Sequence, residues 1–125
     1  MDESELKAIA SQLSCPDGEG GLEIGNKMNL LNHFITRRTL EALSPKRDEV
    51  IAEIGPGNGA LSESLVETLG TNGKYYGIEL SEVMAKEARQ RLSEGDCAVE
   101  IICSDCANAN IPKASLDGLM AVNLL

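Results

Sequence analysis

Tryptophan is absent, and the only aromatic residues are Phe34, Tyr75 and Tyr76. So few rings give no stacking platform for single-stranded nucleic acid. Basic charge is also scarce: 11 Lys and Arg stand against 20 Asp and Glu, a net charge of -9. Such a balance disfavours binding to a phosphate backbone, which needs lysine and arginine to neutralise it. The pairs Arg37-Arg38 and Lys46-Arg47 read as solvated charges at helix ends. No apolar run approaches the ~18 residues of a membrane span. The N-terminus (Met1, Asp2, Glu3, Ser4, Glu5) is acidic, unlike a signal or transit peptide. These features predict a cytoplasmic chain with no membrane and no nucleic-acid partner.

Cysteine and histidine are too few for a convincing metal centre. Cys103 and Cys106 have the C-x-x-C spacing, but a zinc site needs a second pair, and only Cys15 and His33 are at hand. No metal is expected. A redox pair of the thioredoxin kind would follow the first strand, whereas this one ends a later strand. The reading is four reduced thiols, with one of that pair buried and the other in a loop. His33 reads as a surface or packed histidine.

What is present is a change of pattern near residue 46. Ser4 to Leu13 has helical spacing, Cys15 to Gly21 is turn-rich, and Met28 to Leu43 is a stronger helix ended by Ser44 and Pro45. Residues 1–46 thus form a helical cap segment, and 47–125 an α/β unit. In the latter, strands are predicted over Glu49–Ile54, Lys74–Leu80, Ala98–Cys103 and Leu116–Val122. Helices are predicted over Ala60–Leu69 and Glu82–Ser93, the second capped by Ser81 with Val83, Met84, Ala88 and Leu92 facing inward. Alternating strands and helices imply a parallel sheet with right-handed crossovers, and ligands at the carboxyl ends of its strands.

Three motifs fall at such ends. Glu53-Ile54-Gly55-Pro56-Gly57-Asn58-Gly59 runs from a strand through a glycine turn into a helix. Glycines permit positive φ and close backbone approach, and a helix start offers free N–H donors. Pro56 removes one donor, which a diphosphate would want. Glu79 closes the second strand at about the ~20-residue offset of a ribose-binding acid, with Leu80 beside it. Asp105 closes the third strand; with the N–H of Cys106 it suits an adenine edge, and its alternative role is to cap a turn.

This constellation resembles the class I S-adenosylmethionine-dependent methyltransferases, in particular their small-molecule, type 11-like branch with an N-terminal helical cap. Glu53 to Gly59 matches the E/D-x-G-x-G-x-G motif. Glu79 matches the ribose acid, Leu80 the apolar residue by the adenine and Asp105 the adenine acid; Asp117 with Asn123 resembles the motif beside the methionine part. The resemblance implies a Rossmann-like parallel sheet of order 3-2-1-4, S-adenosylmethionine as cofactor, S-adenosylhomocysteine as product and a small-molecule acceptor, with no catalytic base singled out. It covers Glu49 to Leu125 well and the first forty-odd residues loosely. Such folds carry seven strands, so this chain reads as the N-terminal part of the domain, truncated after strand four. The strand Leu116–Val122, almost continuously apolar and so expected to be covered on both faces, would then lie at an open edge and promote homo-oligomers. Two other readings stay open. One is an NAD-binding module, since Gly55, Gly57 and Ala60 satisfy G-x-G-x-x-A. The other is a non-catalytic cofactor-binding fragment.

Overall fold

The computed structural model describes residues 3–4 and 18–122 of the chain, with side chains from residue 30 onward in the second stretch. Helix α1 runs over Gly18–Leu43. It is followed by β1 (Val50–Ile54), a 3-10 turn (Ala60–Ser62), α2 (Glu63–Leu69), β2 (Lys74–Ile78), α3 (Glu82–Leu92), β3 (Ala98–Ile102), a second 3-10 turn (Cys106–Asn108) and β4 (Gly118–Ala121). The chain divides into two compact units, Met1–Arg37 and Arg38–Leu125. The expected helix over Ser4–Leu13 lies almost wholly outside the described residues.

In the first unit, α1 starts ten residues earlier than the sequence pattern predicts. Gly18, Gly20 and Gly21 favour a break there, because each glycine costs about 1 kcal/mol in a helix. Propagation from an established helix is far less demanding than nucleation, and the apolar pattern that begins at Met28 supplies the nucleus. The C-terminal end is where Ser44 and Pro45 place it. Ser44 turns left-handed with φ 50° and returns its N–H to the carbonyl of Leu40 at 2.8 Å.

The second unit holds a four-stranded parallel sheet in the order β3-β2-β1-β4, as the resemblance implied. Ile51 pairs with Tyr75 of β2 and Gly118 of β4, and Tyr75 pairs with Val99 of β3. The register puts Ile51, Glu53, Tyr75, Gly77, Ile101 and Met120 on one face. Leu65, Val66 and Leu69 of α2 and Ala85, Ala88 and Leu92 of α3 join Ile51, Tyr75, Ile101 and Met120 in one buried cluster. Leu40 and Leu43, from the last turn of α1, pack against it. The central strands β1 and β2 are buried nearly throughout, and the outer strands only in part.

Three local expectations need correction. On α3 the inner stripe is Ala85, Ala88 and Leu92, spaced three and four apart; Val83 is 66% exposed and Met84 39%. Val83 precedes Ala85 by two residues, which places it about 200° away around the helix. The helix after the glycine turn opens as a 3-10 turn and becomes α-helical only at Glu63. Strand β4 is not covered on both faces: Met120 is buried, but Leu119 is 54% exposed, because it points away from α2 and α3. Among the described residues β4 pairs with β1 alone.

Candidate cofactor site at the carboxyl ends of the strands

Strand β1 ends at Ile54 and the chain enters a turn that only glycines accommodate readily. Gly55, Gly57 and Gly59 have φ of 75°, 62° and 83°, all in the left-handed region. Gly55 continues the ladder by donating to the Ile78 carbonyl at 2.9 Å, and Gly59 donates to Pro56 at 3.1 Å. The Asn58 side chain accepts from Ala60 N at 3.0 Å, so it serves the turn itself.

The glycines differ in what surrounds them. A Cβ on Gly59 would lie 3.2 Å from Leu92 Cδ1 and 3.3 Å from Ala88 Cα, so this residue lets the turn approach α3. A Cβ on Gly57 would meet nothing within 4 Å. Gly57 thus borders open space.

Glu79 stands beside that space. Its Oε1 accepts from Gly57 N and its Oε2 from Ser81 N, both at 2.9 Å. Ser81 is the cap of α3, its Oγ accepting from Met84 N at 3.3 Å. Leu80, next in sequence, is 73% exposed, an apolar side chain on the rim. Glu53, Gly55, Pro56, Gly57, Asn58, Gly59, Glu79 and Leu80 therefore gather at the ends of β1 and β2.

Glu53 lies beneath the turn, 2% exposed. Its Oε1 accepts from Ser62 Oγ and from the Tyr75 hydroxyl, the latter at 2.8 Å. Burial pushes the Glu53 carboxyl above its ordinary value, and these two hydrogen bonds pull it back. Tyr75 is driven up strongly by burial and by the neighbouring Glu53 charge. Neither Ser62 nor Tyr75 was anticipated. The available signal was that a buried acid requires donors, and Tyr75 is one of only two tyrosines in the chain.

The end of β3 adopts the alternative anticipated for it. Asp105 caps the second 3-10 turn: Oδ1 accepts from Asn108 N at 2.9 Å, and both oxygens accept from Asn108 Nδ2. Asp105 and Cys106 are exposed. Cys103 and Cys106 are both free and exposed, so neither is the buried partner expected of that pair; among the described residues the buried thiol is Cys97. Among the described residues no group of three or more His, Cys, Asp and Glu is placed to hold a metal. His33 lies on α1.

Asp117 is not at this end of the sheet. It precedes β4, donates its N–H to Val50 O at 2.8 Å, and accepts from Val50 N on Oδ2 at 2.7 Å. It clasps the amino ends of β1 and β4. The likeness to a methionine-binding motif misplaced it because parallel strands put only their last residues at the ligand end. Asn123 lies outside the described residues. A groove of about 530 Å³, lined by Arg47, Glu63, Arg91, Glu94 and Asp96 among others, also opens at the amino ends, away from the glycine turn.

Residues 51–125 match the family model described as a methyltransferase domain. The chain belongs to this family. It is 36% identical over 63 residues to ribosomal RNA small subunit methyltransferase A of Mycoplasmoides gallisepticum, an alignment covering 50% of this chain and 23% of that protein. It is 29% identical over 85 residues to aklanonic acid methyltransferase DauC of a Streptomyces strain, covering 67% and 39%. Its fold is that of a SAM-dependent methyltransferase from Aquifex aeolicus, with a TM-score of 0.62 at 24% identity over 73% of this chain and 49% of that one. The chain spans between 23% and 45% of the length of the curated relatives it matches. No helix among the described residues is long and apolar enough to cross a membrane.

Proposed function

We propose that this chain is the cofactor-binding part of an S-adenosylmethionine-dependent methyltransferase. The open space over Gly57, bordered by the Glu79 carboxylate, carries the reading: a positive-φ glycine whose Cβ position is empty stands beside an acid at the next strand end. The donor set suits the cofactor. Glu79 has acceptor capacity left for ribose hydroxyls, since a carboxylate offers about four lone-pair sites. The exposed Leu80 side chain offers an apolar face to an adenine, and Asp105 with the Cys106 N–H offers an acceptor and a donor for its edge. Glu53 brings negative charge to a ligand that carries a sulfonium. Pro56 withholds the donor that a diphosphate would use, which counts against a nicotinamide dinucleotide.

S-adenosylmethionine supplies a methyl group activated by its sulfonium. The chain's part is to bind and align it, since proximity and orientation account for much of such a transfer. The acceptor is a small molecule on this reading, supported by the net charge of -9 and the three aromatic residues. An RNA acceptor is the second reading, favoured by the ribosomal RNA methyltransferase among the relatives. Among the described residues the thiols of Cys97, Cys103 and Cys106 are free, which supports a reducing cytoplasmic setting. The outer edge of β4, with Leu119 exposed, supports self-association of the polypeptide. Light scattering checks this, and a monodisperse monomer at high micromolar concentration argues against it.

Calorimetric titration with S-adenosylmethionine, S-adenosylhomocysteine and NAD tests the cofactor. The first two should bind and NAD should not. No heat from either adenosyl ligand at millimolar concentration would sink the reading. Transfer of a labelled methyl group to ribosomal RNA, rather than to small molecules of a cell extract, would favour the second acceptor.

A further inference from the structure

Glu53 is buried, and its surroundings are arranged around one of its two oxygens. Ser62 Oγ and the Tyr75 hydroxyl both donate to Oε1. Among the described residues Oε2 accepts nothing. The two donors are themselves buried, Ser62 at 2% and Tyr75 at 0% exposure. They arrive from different elements: Ser62 from the 3-10 turn that follows Gly59, Tyr75 from the middle of β2.

The Tyr75 ring needs Gly77 to lie where it does. A Cβ on Gly77 would be 3.1 Å from Tyr75 Cε1, 2.8 Å from Ile101 Cδ1 and 3.2 Å from Pro56 Cγ. The ring thus passes close to the place where a side chain on Gly77 would stand. Packing alone would be served as well by phenylalanine in place of Tyr75 and alanine in place of Ser62. The two hydroxyls have the carboxylate as their shared hydrogen-bond partner.

We propose that Tyr75 and Ser62 are positioning residues for cofactor binding: they anchor Glu53 by Oε1 and leave Oε2 for the ligand. This rests on the cofactor reading above. It deepens that reading by giving the acid of the glycine motif a fixed orientation and two named supports. Each hydroxyl bond also favours the ionised carboxylate against the pull of burial. Burial, Ser62 and Tyr75 account for the displacement of Glu53. Glu79, at the end of β2, acts on the cluster through Tyr75.

The test is calorimetric titration of S-adenosylhomocysteine into the wild-type chain and the variants Tyr75→Phe, Ser62→Ala, Ser62→Thr and Glu53→Gln, from acid to mildly alkaline pH. Wild-type affinity should fall as the pH drops through the Glu53 titration. Tyr75→Phe and Ser62→Ala should each raise that midpoint by about one pH unit, which weakens binding by up to about tenfold at a pH below the wild-type midpoint. Ser62→Thr, which keeps the hydroxyl, should restore both. Glu53→Gln should bind weakly with a flat profile. Thermal melting, read alongside, shows which variants are folded and separates packing from positioning. A variant that melts earlier but keeps the wild-type midpoint has lost packing only. Unmoved midpoints in folded Tyr75→Phe and Ser62→Ala overturn the inference while leaving the cofactor reading intact. No binding by the wild type overturns the cofactor reading itself.

Discussion

Glu79 and Gly57, 22 positions apart, are joined by a 2.9 Å hydrogen bond from the glycine N–H to the carboxylate. The second oxygen of Glu79 holds Ser81 N at the cap of α3. One side chain therefore fixes the distance between the glycine turn and the next helix before any ligand arrives. Preorganisation of this kind reduces the ordering that binding must otherwise impose.

Replacing that carboxylate should therefore affect both ligand and turn. Glu79→Ala is expected to weaken S-adenosylmethionine binding by ~1.5–3 kcal/mol, about 10- to 100-fold. It should also speed hydrogen exchange at Gly57 N, which loses its acceptor. Calorimetry and exchange measure the two effects. An unchanged dissociation constant would remove Glu79 from the site.

Gly57 and Gly59 share a motif and a sign of φ but should fail differently. Gly57→Ala meets no protein atom, so its structural cost is the backbone strain of about 1 kcal/mol. Gly57→Val should abolish cofactor binding while the helical signal persists, because the side chain projects into the ligand's space. Gly59→Ala presses on Leu92 and on the backbone of α3, and should lower the melting temperature more than Gly57→Ala does. Circular dichroism melts with parallel titrations separate the two. Retained affinity in Gly57→Val would make the turn purely structural.

The Glu53 carboxyl is raised above its ordinary value of 4.5, chiefly by burial. A raised carboxyl favours the folded state in its protonated form. Its contribution is complete below 4.5 and is lost as the pH rises through the folded-state value. Wild type should gain stability relative to Glu53→Gln as the pH falls through that window, with no further gain below it. Urea unfolding of both proteins across mildly acid pH gives the difference directly. Referring wild type to the variant cancels the general relief of repulsion in a chain of net charge -9. A difference that does not vary with pH would mean Glu53 titrates normally.

The sequence made some of these relationships legible and hid others, for physical reasons. The strand–turn–helix around Gly55–Gly59 is a local pattern, and so is the Ser81 cap; both depend on neighbours in sequence. Glu79 could be placed because its offset from the turn reflects one β-α-β unit. Tyr75 and Ser62 were hidden because their partner is set by register between strands, which periodicity within one strand does not reveal. Val83 and Met84 are apolar, and hydrophobicity alone does not state which side of α3 the sheet occupies. The side chain of Asp105 suits two roles in the sequence, and the structure shows the local one, because Asn108 lies within reach three residues on.

Asp117 gives the sharpest contrast between motif likeness and geometry. Its reciprocal bonds with Val50, at 2.8 and 2.7 Å, tie the starts of β1 and β4. The glycine turn lies at the other end of β1, beyond Ile54. Asp117→Ala removes the side-chain acceptor and keeps the backbone donor, so it should destabilise the fold by about 1 kcal/mol. Asp117→Asn retains a side-chain oxygen and should recover part of that loss. Neither should change the affinity for S-adenosylhomocysteine by more than about twofold, since substitutions well separated from a site act nearly independently of it. Chemical denaturation and calorimetry on the same samples decide the matter. A tenfold loss of affinity in a fully folded Asp117→Ala would return this residue to the methionine end of the site and contradict the strand register seen here.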